Sequence, residues 1–397
     1  MKGDIRIYQF GLWKLALLGV GPFRGQVERI SFRHTGGEPS NLFLIMAPNG
    51  RGKTTALEAV YFLMSMLDPA FSTRSEVAEH DFFGEPNAKL QLDLLMQIGV
   101  GQAPERRVLL SLSWGDVGDT GLSGWTESPL EDGVADYWLR IGYSRDSTSG
   151  GVSEMEYSVD ALRGWERPEE PARLLSSLRE LIASGSTEAW TGFSGSDAAV
   201  RPTVLYFASG RDITRDHQDE HRLGRPSVPQ YRVAHRFERE GGVWASSLEN
   251  LLVWFYWLSP VIYEEARTLV NQLVFDGGIE KQLEATPQKD PPGVRVGYAG
   301  ESHGLDRLSS GERNLTQFAL RYHAHRTRFT VLLIDEIELH LHQEFRRKLV
   351  QLLKDEVSRN ADGTTVVFTS HDDYVIDEVD LDTDEDPVRK MPHFVWR

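Results

Sequence analysis

Cysteine is absent from this chain, which excludes disulfides, thiolate nucleophiles and cysteine-ligated zinc or iron–sulfur centres and fits a reducing cytoplasm. Also missing is any run approaching the roughly 20 apolar residues needed to span a bilayer. The opening Met1-Lys2-Gly3-Asp4-Ile5-Arg6 lacks the long uncharged apolar core of a secretory signal. Neither secretion nor membrane insertion is expected. Basic residues are outnumbered: 43 Lys and Arg stand against 59 Asp and Glu, a net charge of −16. Phosphate affinity rests on clustered Lys and Arg, so a chain that coats nucleic acid over most of its surface is excluded, although local patches are not. The middle of the chain has no sustained heptad pattern, and Gly and Pro recur too often for a long coiled coil. What is present, 397 residues of which 40% are hydrophobic, suffices for one large α/β domain with insertions or for two domains.

The most informative segment is Ala47-Pro48-Asn49-Gly50-Arg51-Gly52-Lys53-Thr54-Thr55. It follows the apolar run Asn41-Leu42-Phe43-Leu44-Ile45-Met46 and precedes a helix-like stretch, so strand, glycine loop and helix come in the order of a nucleotide-phosphate cradle. Gly50 and Gly52 let backbone N–H groups turn towards phosphate oxygens. Lys53 can span the β- and γ-phosphates, and Thr54 can offer a hydroxyl to Mg²⁺ at a helix N-terminus that favours anions. Ala47 stands where the first Gly is usual and is small enough for that turn. The pattern predicts binding of ATP or GTP.

Further segments extend this reading. Thr330-Val331-Leu332-Leu333-Ile334-Asp335-Glu336 reads as a buried strand ending in two carboxylates, at the sheet edge where ligands bind. Asp335 would hold Mg²⁺, and Glu336 would orient or deprotonate water. Leu308-Ser309-Ser310-Gly311-Glu312-Arg313 lies upstream, and Phe368-Thr369-Ser370-His371 ends another apolar strand downstream. The pair His340 and His342 has the spacing of metal ligands, but no Cys exists and no third ligand is evident nearby, so a metal role is not expected.

Taken in order, these segments resemble the ABC-type ATPases of the SMC/RecF/OLD group, whose heads carry a phosphate loop, an LSGGQ-like signature, an acidic strand end and a switch histidine. The signature here departs at its third position and has Glu312 in place of Gln. Ile337-Glu338-Leu339-His340-Leu341-His342-Gln343 is similar to the Glu-Leu-His-Leu-His element of OLD-like and RecF-like members. The resemblance implies that Asn49, Gly50, Arg51, Gly52, Lys53, Thr54 and Thr55 hold ATP, that Thr54 and Asp335 hold Mg²⁺, and that Glu336 and His371 are catalytic, His371 sensing the γ-phosphate. It further implies that Ser309, the Gly311 amide and Glu312 act in trans on nucleotide held by another subunit, which requires at least a head-to-head dimer.

The implied fold is an α/β phosphate-loop NTPase head of ABC type, with a β-rich lobe, a short helical insertion and no long coiled coil. Residues 1–98 are expected to form the N-terminal part of the head, 99–200 a β-rich lobe, 201–300 a helical and Arg-rich insertion, and 301–397 the C-terminal part of the head. The strand at 90–98 offers Gln91 or Gln97 as the glutamine that ABC heads place near Mg²⁺ and the attacking water. Leu174, Leu175, Leu178, Leu181 and Ile182 recur at helical spacing within 171–183. A helix or helix pair is expected over 247–275, broken near Ser259-Pro260 and carrying Trp254-Phe255-Tyr256-Trp257. Arg211, at the end of the strand 202–208, is a candidate for a nucleotide or interface contact. The stretch with Arg201, Arg211, Arg215, Arg222, Arg225, Arg232, Arg236 and Arg239 also contains Asp212, Asp216, Asp219, Glu220, Glu238 and Glu240, which favours a salt-bridged surface over nucleic-acid binding. The acids Asp377, Glu378, Asp380, Asp382, Asp384, Glu385 and Asp386 read as a solvated loop.

Together these readings predict a cytoplasmic ATP-driven switch that controls a partner effector, a nuclease or toxin, as in stand-alone OLD-like ATPases of anti-phage systems such as PARIS or Septu. The alternative is a RecF-like repair ATPase that clamps DNA directly, and a third reading is a scaffold that binds ATP and barely hydrolyses it.

Overall fold

The computed structural model describes residues 5–33, 40–68, 71, 88–101, 104–117, 122, 133–145, 152–155, 160–161, 170–185, 200–213, 224, 231–240, 242–289, 292–372, 374–375 and 393–395. The acidic run that begins at Asp377 lies outside them, as do Arg215, Arg222 and Arg225.

Two sheets carry the chain. The first contains β1 (Ile5–Leu18), β2 (Glu28–Ser31), β4 (Lys89–Val100), β5 (Arg106–Trp114), β6 (Tyr137–Arg145), β7 (Val152–Met155) and β8 (Asp160–Ala161), in the order β2-β1-β4-β5-β6-β7 with β8 also on β6. Its pairs are antiparallel except β5 with β6. Along β4 successive side chains alternate faces. Leu90, Leu92, Leu94, Met96 and Ile98 enter the main core, while Gln91, Asp93, Leu95 and Gln97 point the other way. One continuous sheet therefore spans residue 98 and joins the start of the chain to the β-rich lobe.

The second sheet contains β3 (Leu42–Met46), β9 (Pro202–Asp212), β10 (Ala234–Arg239), β16 (Phe329–Ile334), β17 (Thr365–Ser370) and β18 (His393–Val395), in the order β10-β9-β16-β17-β3-β18. Every pair is parallel. Parallel strands buried on both faces read as unbroken apolar runs, and β16 and β17 are buried at every residue. One face of the sheet sends Phe43, Ile45, Tyr206, Val331, Leu333 and Val367 into the core shared with the first sheet. The opposite face sends Leu44, Met46, Leu205, Phe207, Leu332, Ile334 and Phe368 into a second core.

The helices are α1 (Lys53–Ser65), α2 (Glu170–Gly185), α3 (Leu248–Leu258), α4 (Pro260–Val274), α5 (Ser310–His325) and α6 (Gln343–Arg359). Helix α1 sits between the sheets, which is why its apolar residues run round the helix instead of forming a stripe. Helices α3 to α6 cover the second core. Ser247 caps α3 by accepting from the Asn250 amide at 3.0 Å, and Ser259 in extended backbone followed by Pro260 at the start of α4 makes the predicted break. Between α4 and α5 run short strands, β11 (Lys281–Leu283), β12 (Gln288–Lys289), β13 (Pro292–Gly293), β14 (Val296–Tyr298) and β15 (Glu301–His303). In the aromatic cluster Phe255 is buried whereas Trp257 is 57% exposed.

The architecture is α/β, a parallel sheet covered by helices beside a β-rich first sheet, with a short helical insertion. Among the described residues the longest helix, α6, has 17 residues, so no long coiled coil is present there. No helix of the described residues is long and apolar enough to cross a membrane. All six strands of the parallel sheet end at one edge, where open α/β sheets bind ligands.

Candidate functional site

At that edge β3 runs into the glycine loop. Gly50 and Gly52 have φ of 77° and 92°, a region that favours glycine, and Gly52 is the N-cap residue of α1. A Cβ on Gly52 would overlap the Phe23 ring and lie 2.7 Å from Pro22, so close packing closes that position as well. Ala47 is not among the residues with positive φ, which is why a methyl group is tolerated there. Lys53 is buried, 6% exposed, and its Nζ donates to the carbonyls of Ala47 and Pro48, curling the side chain back over its own loop. Asn49, Gly50, Arg51 and Thr54 are exposed and Thr55 is half-buried.

The turn at residues 19–23, between β1 and β2, packs on this loop, and the sequence reading did not single it out. It is closed by hydrogen bonds from the Gly19 amide to the Phe23 carbonyl at 2.7 Å and from the Phe23 amide to the Val20 carbonyl at 2.8 Å. A Cβ on Gly21 would lie 3.0 Å from Thr55 Oγ1. Gly19, Gly21 and Pro22 mark a turn in the sequence, but its place over the glycine loop follows only from the pairing of distant strands.

The acidic strand end lies beside the loop. Asp335 is 1% exposed and both of its carboxylate oxygens accept from hydroxyls: Thr54 Oγ1 at 2.8 Å and Thr369 Oγ1 at 2.7 Å. Thr54 lies in the first turn of α1, Asp335 follows β16 and Thr369 lies near the end of β17, so the trio exists because these strands lie side by side. Thr369 Oγ1 also accepts from the Glu336 amide at 2.8 Å. Glu336 has φ of 48°, which a non-glycine residue holds only when its surroundings over-determine it. A hydroxyl and a carboxylate in contact suit Mg²⁺, which keeps several waters and takes one or two protein oxygens beside phosphate oxygens. The donor set thus suits a magnesium nucleotide, which Thr54 and Asp335 would hold through the metal. Nearby, burial holds the Glu58 carboxyl above the usual carboxylate range against the pull of Arg236, and the charge of Asp335 adds to the rise.

His371 follows β17, whose last residue Ser370 pairs with Met46 at the entrance to the glycine loop. Its Nδ1 lies 2.8 Å from Glu338 Oε1, which also accepts from the His371 amide at 3.0 Å. The imidazole is thus held by an acid from the Glu-Leu-His-Leu-His element, a contact the sequence reading did not anticipate.

The signature turn starts α5. Ser309 and Glu312 form a reciprocal capping box: the Glu312 amide donates to Ser309 Oγ at 3.3 Å and the Ser309 amide to Glu312 Oε2 at 2.9 Å. Lys281 donates to Glu312 at 2.8 Å. A Cβ on Gly311 would lie 2.9 Å from the His340 carbonyl, so packing within the chain already demands glycine. Ser309 and Ser310 are exposed. Among the described contacts, no hydrogen bond or ion pair links Ser309, Gly311 or Glu312 to the glycine loop of the same chain.

Arg211 departs from expectation. It is 1% exposed and donates to Asn314, to the Ala208 carbonyl and to the Asp335 carbonyl, so it lies inside the second core's polar rim and not against nucleotide or a subunit surface. Gln91 is buried, donating to Asp93 at 2.8 Å and accepting from the Leu122 amide at 2.7 Å, and Gln97 donates to Glu105. Both side-chain amides are engaged by residues on or beside the first sheet. Of the Arg-rich stretch, Arg236 pairs with Glu58 and Glu238 as a salt-bridged surface requires, whereas Arg201 is buried and donates to the Leu181 carbonyl.

Residues 299–377 match the family described as "AAA domain, putative AbiEii toxin, Type IV TA system". The matched span carries Ser309, Gly311, Glu312, Asp335, Glu336 and His371. No curated protein matches the chain. Among solved structures, the SMC head domain from Thermotoga maritima aligns with 93% of this chain and 92% of its own, at 14% identity and a TM-score of 0.37.

Proposed function

We propose that this chain binds and hydrolyses ATP with Mg²⁺, that two copies close head to head on the nucleotide, and that the closed state controls a partner effector. The observation that carries the ATPase reading is the contact of Thr54 and Asp335, 2.8 Å apart at the carboxyl edge of a parallel sheet, with Glu336 next in the chain. Mg²⁺ at that pair would neutralise charge on the β- and γ-phosphates. Lys53 leaves the Ala47 and Pro48 carbonyls for phosphate oxygens, and Glu336 orients or deprotonates the attacking water. His371 contacts the γ-phosphate once it parts from Glu338.

The two-copy reading is supported by the exposed start of α5 and by the lack of described contacts between it and its own glycine loop. A helix N-terminus offers unsatisfied N–H groups and a favourable dipole to an anion. Ser309, the Gly311 amide and Glu312 then complete the neighbour's site. ATP closes the pair because the γ-phosphate is touched from both sides only in the closed state. The output passes to a nuclease or toxin in the cytoplasm, in anti-phage defence of the kind served by OLD-like ATPases. The test is to purify the protein from its native neighbours and measure hydrolysis of Mg·ATP with and without DNA. The expected result is a co-purifying protein and little response to DNA. Steeply salt-dependent stimulation by DNA would favour the RecF-like clamp instead.

A further inference from the structure

Among the largest fully buried side chains Arg211 is the one that carries a charge. Burying a guanidinium is expensive unless its donors are satisfied. Here they are spent on the candidate site. Nη1 donates to the Asp335 carbonyl at 2.8 Å and to the Ala208 carbonyl at 2.9 Å, Nη2 reaches the Glu336 carbonyl at 3.5 Å, and Nε donates to Asn314 Oδ1 at 3.0 Å. Asn314, in the first turns of α5, turns its amide to the Leu339 carbonyl at 3.4 Å. One planar fork therefore joins β9, the acid tip that follows β16, and the helix that begins with the signature turn. Burial lowers the guanidinium's pKa to about 10, with the charge of Asp335 opposing the fall, so it stays protonated at neutral pH.

The fork also meets the one strained residue of the acid tip. Glu336 sits at φ 48°, pinned on one side by Thr369 Oγ1 at its amide and on the other by Arg211 at its carbonyl. An ion pair also fastens the same helix to the same strand, Arg313 to Asp212 at 2.8 Å. The start of α5 is thus tied to β9 and, through Arg211, to the peptide between Asp335 and Glu336.

We propose that Arg211 is a positioning residue that couples the start of α5 to the Asp335–Glu336 peptide, so that engagement of the Ser309 turn on a facing subunit sets the Glu336 carboxylate for hydrolysis. The inference rests on the ATPase reading above. It is tested in the full chain with Arg211→Lys, which keeps the charge but loses the fork, and with Asn314→Leu, which removes the acceptor on α5 together with the amide that donates to the Leu339 carbonyl. Asn314→Asp restores that acceptor. Fluorescent-ATP binding, kcat and KM for Mg·ATP, and melting temperature are measured for each.

Arg211→Lys and Asn314→Leu are expected to bind nucleotide within about threefold of the parent while kcat falls at least about tenfold, since misplacing a catalytic group by an ångström costs about 100-fold. Asn314→Asp is expected to recover most of kcat. A purely structural role would lower melting temperature and binding capacity together and leave kcat per bound nucleotide unchanged; that result in the soluble variants overturns the proposal. If Arg211→Lys does not fold, Asn314→Leu decides by the same criterion. A parent protein that neither binds nor hydrolyses ATP contradicts the ATPase reading itself, and is told apart because it is seen before any variant is made.

Discussion

At the glycine-loop edge Lys53 and Asp335 are buried and each is satisfied within the chain, by loop carbonyls and by the Thr54 and Thr369 hydroxyls. At the start of α5, Ser309 and Ser310 are exposed, and the capping box there closes on itself without reaching the loop. On the function proposed above, the first region is arranged in advance: its groups would need only to exchange one partner for another on binding Mg·ATP. The second is a rigid ledge facing outwards, held from behind by Arg313 to Asp212, Asn314 to Arg211, and Gly311 against the His340 carbonyl. A prearranged half and an outward-facing half are what a site shared between copies requires, and mutations in the two halves should fail in different ways.

The sharpest break between them is expected at Glu336. Glu336→Gln should retain ATP binding and lower steady-state hydrolysis by about 100-fold or more, the usual range for loss of a general base; hydrolysis at the parent rate would remove Glu336 from that role. Next comes Lys53→Ala, which takes away a charge-assisted contact worth about 1.5–3 kcal/mol and should weaken ATP binding by about 10- to 150-fold in an equilibrium titration. On the ledge, Ser309→Arg should leave nucleotide binding to isolated subunits within about twofold and abolish ATP-dependent association, read by light scattering. That split between binding and association is the comparison in its simplest form.

A smaller effect probes the ledge's attachment. Gly311→Ala sets a methyl group 2.9 Å from the His340 carbonyl and should cost about 1–3 kcal/mol of stability in chemical denaturation. An unchanged midpoint would show that the turn at His340 yields easily. The mildest expectation concerns the far end of α5, where burial pushes His323 down to about 3, with Arg326 and Arg359 adding to the fall, and pushes His325 well below its ordinary value, helped by His235, Arg321 and Arg232. Both are neutral when folded and take up protons near pH 6.5 when unfolded. The unfolded chain therefore binds more protons below that pH, so stability is full above about pH 7 and declines as pH falls through 6.5, by up to about 1.4 kcal/mol per pH unit for each. Replacing His323 with Gln should flatten that slope by up to half.

Much of the prearranged half was legible in the sequence because it is local: apolar strand, glycine loop and helix are consecutive, and Asp335 and Glu336 end a buried run. The break at Ser259-Pro260 was legible for the same reason, since capping and proline act over a single turn. What was not legible depends on which strands become neighbours. Thr369 matters because β17 lies between β3 and β16, and nothing within residues 364–371 announces that its hydroxyl will meet Asp335. Arg211 was expected at a nucleotide or an interface because the strand ending near an Arg resembles OLD-like relatives; its burial follows from β9 flanking β16 under α5. The turn at residues 19–23 carried ordinary turn residues, and its contact with Gly52 and Thr55 arises only when β1 is in place. His371 was placed at the right edge, but its pairing with Glu338 depends on a turn whose path, with His340 at φ 62°, the residue types do not specify.

A site shared between copies is tested most directly by the mass of the Glu336→Gln protein in analytical ultracentrifugation, with Mg·ATP, with Mg·ADP and without nucleotide. A doubling of mass with ATP alone, lost when Ser309→Arg is added, is the predicted result. A mass that ignores nucleotide while ATP is demonstrably bound would contradict a site shared between copies.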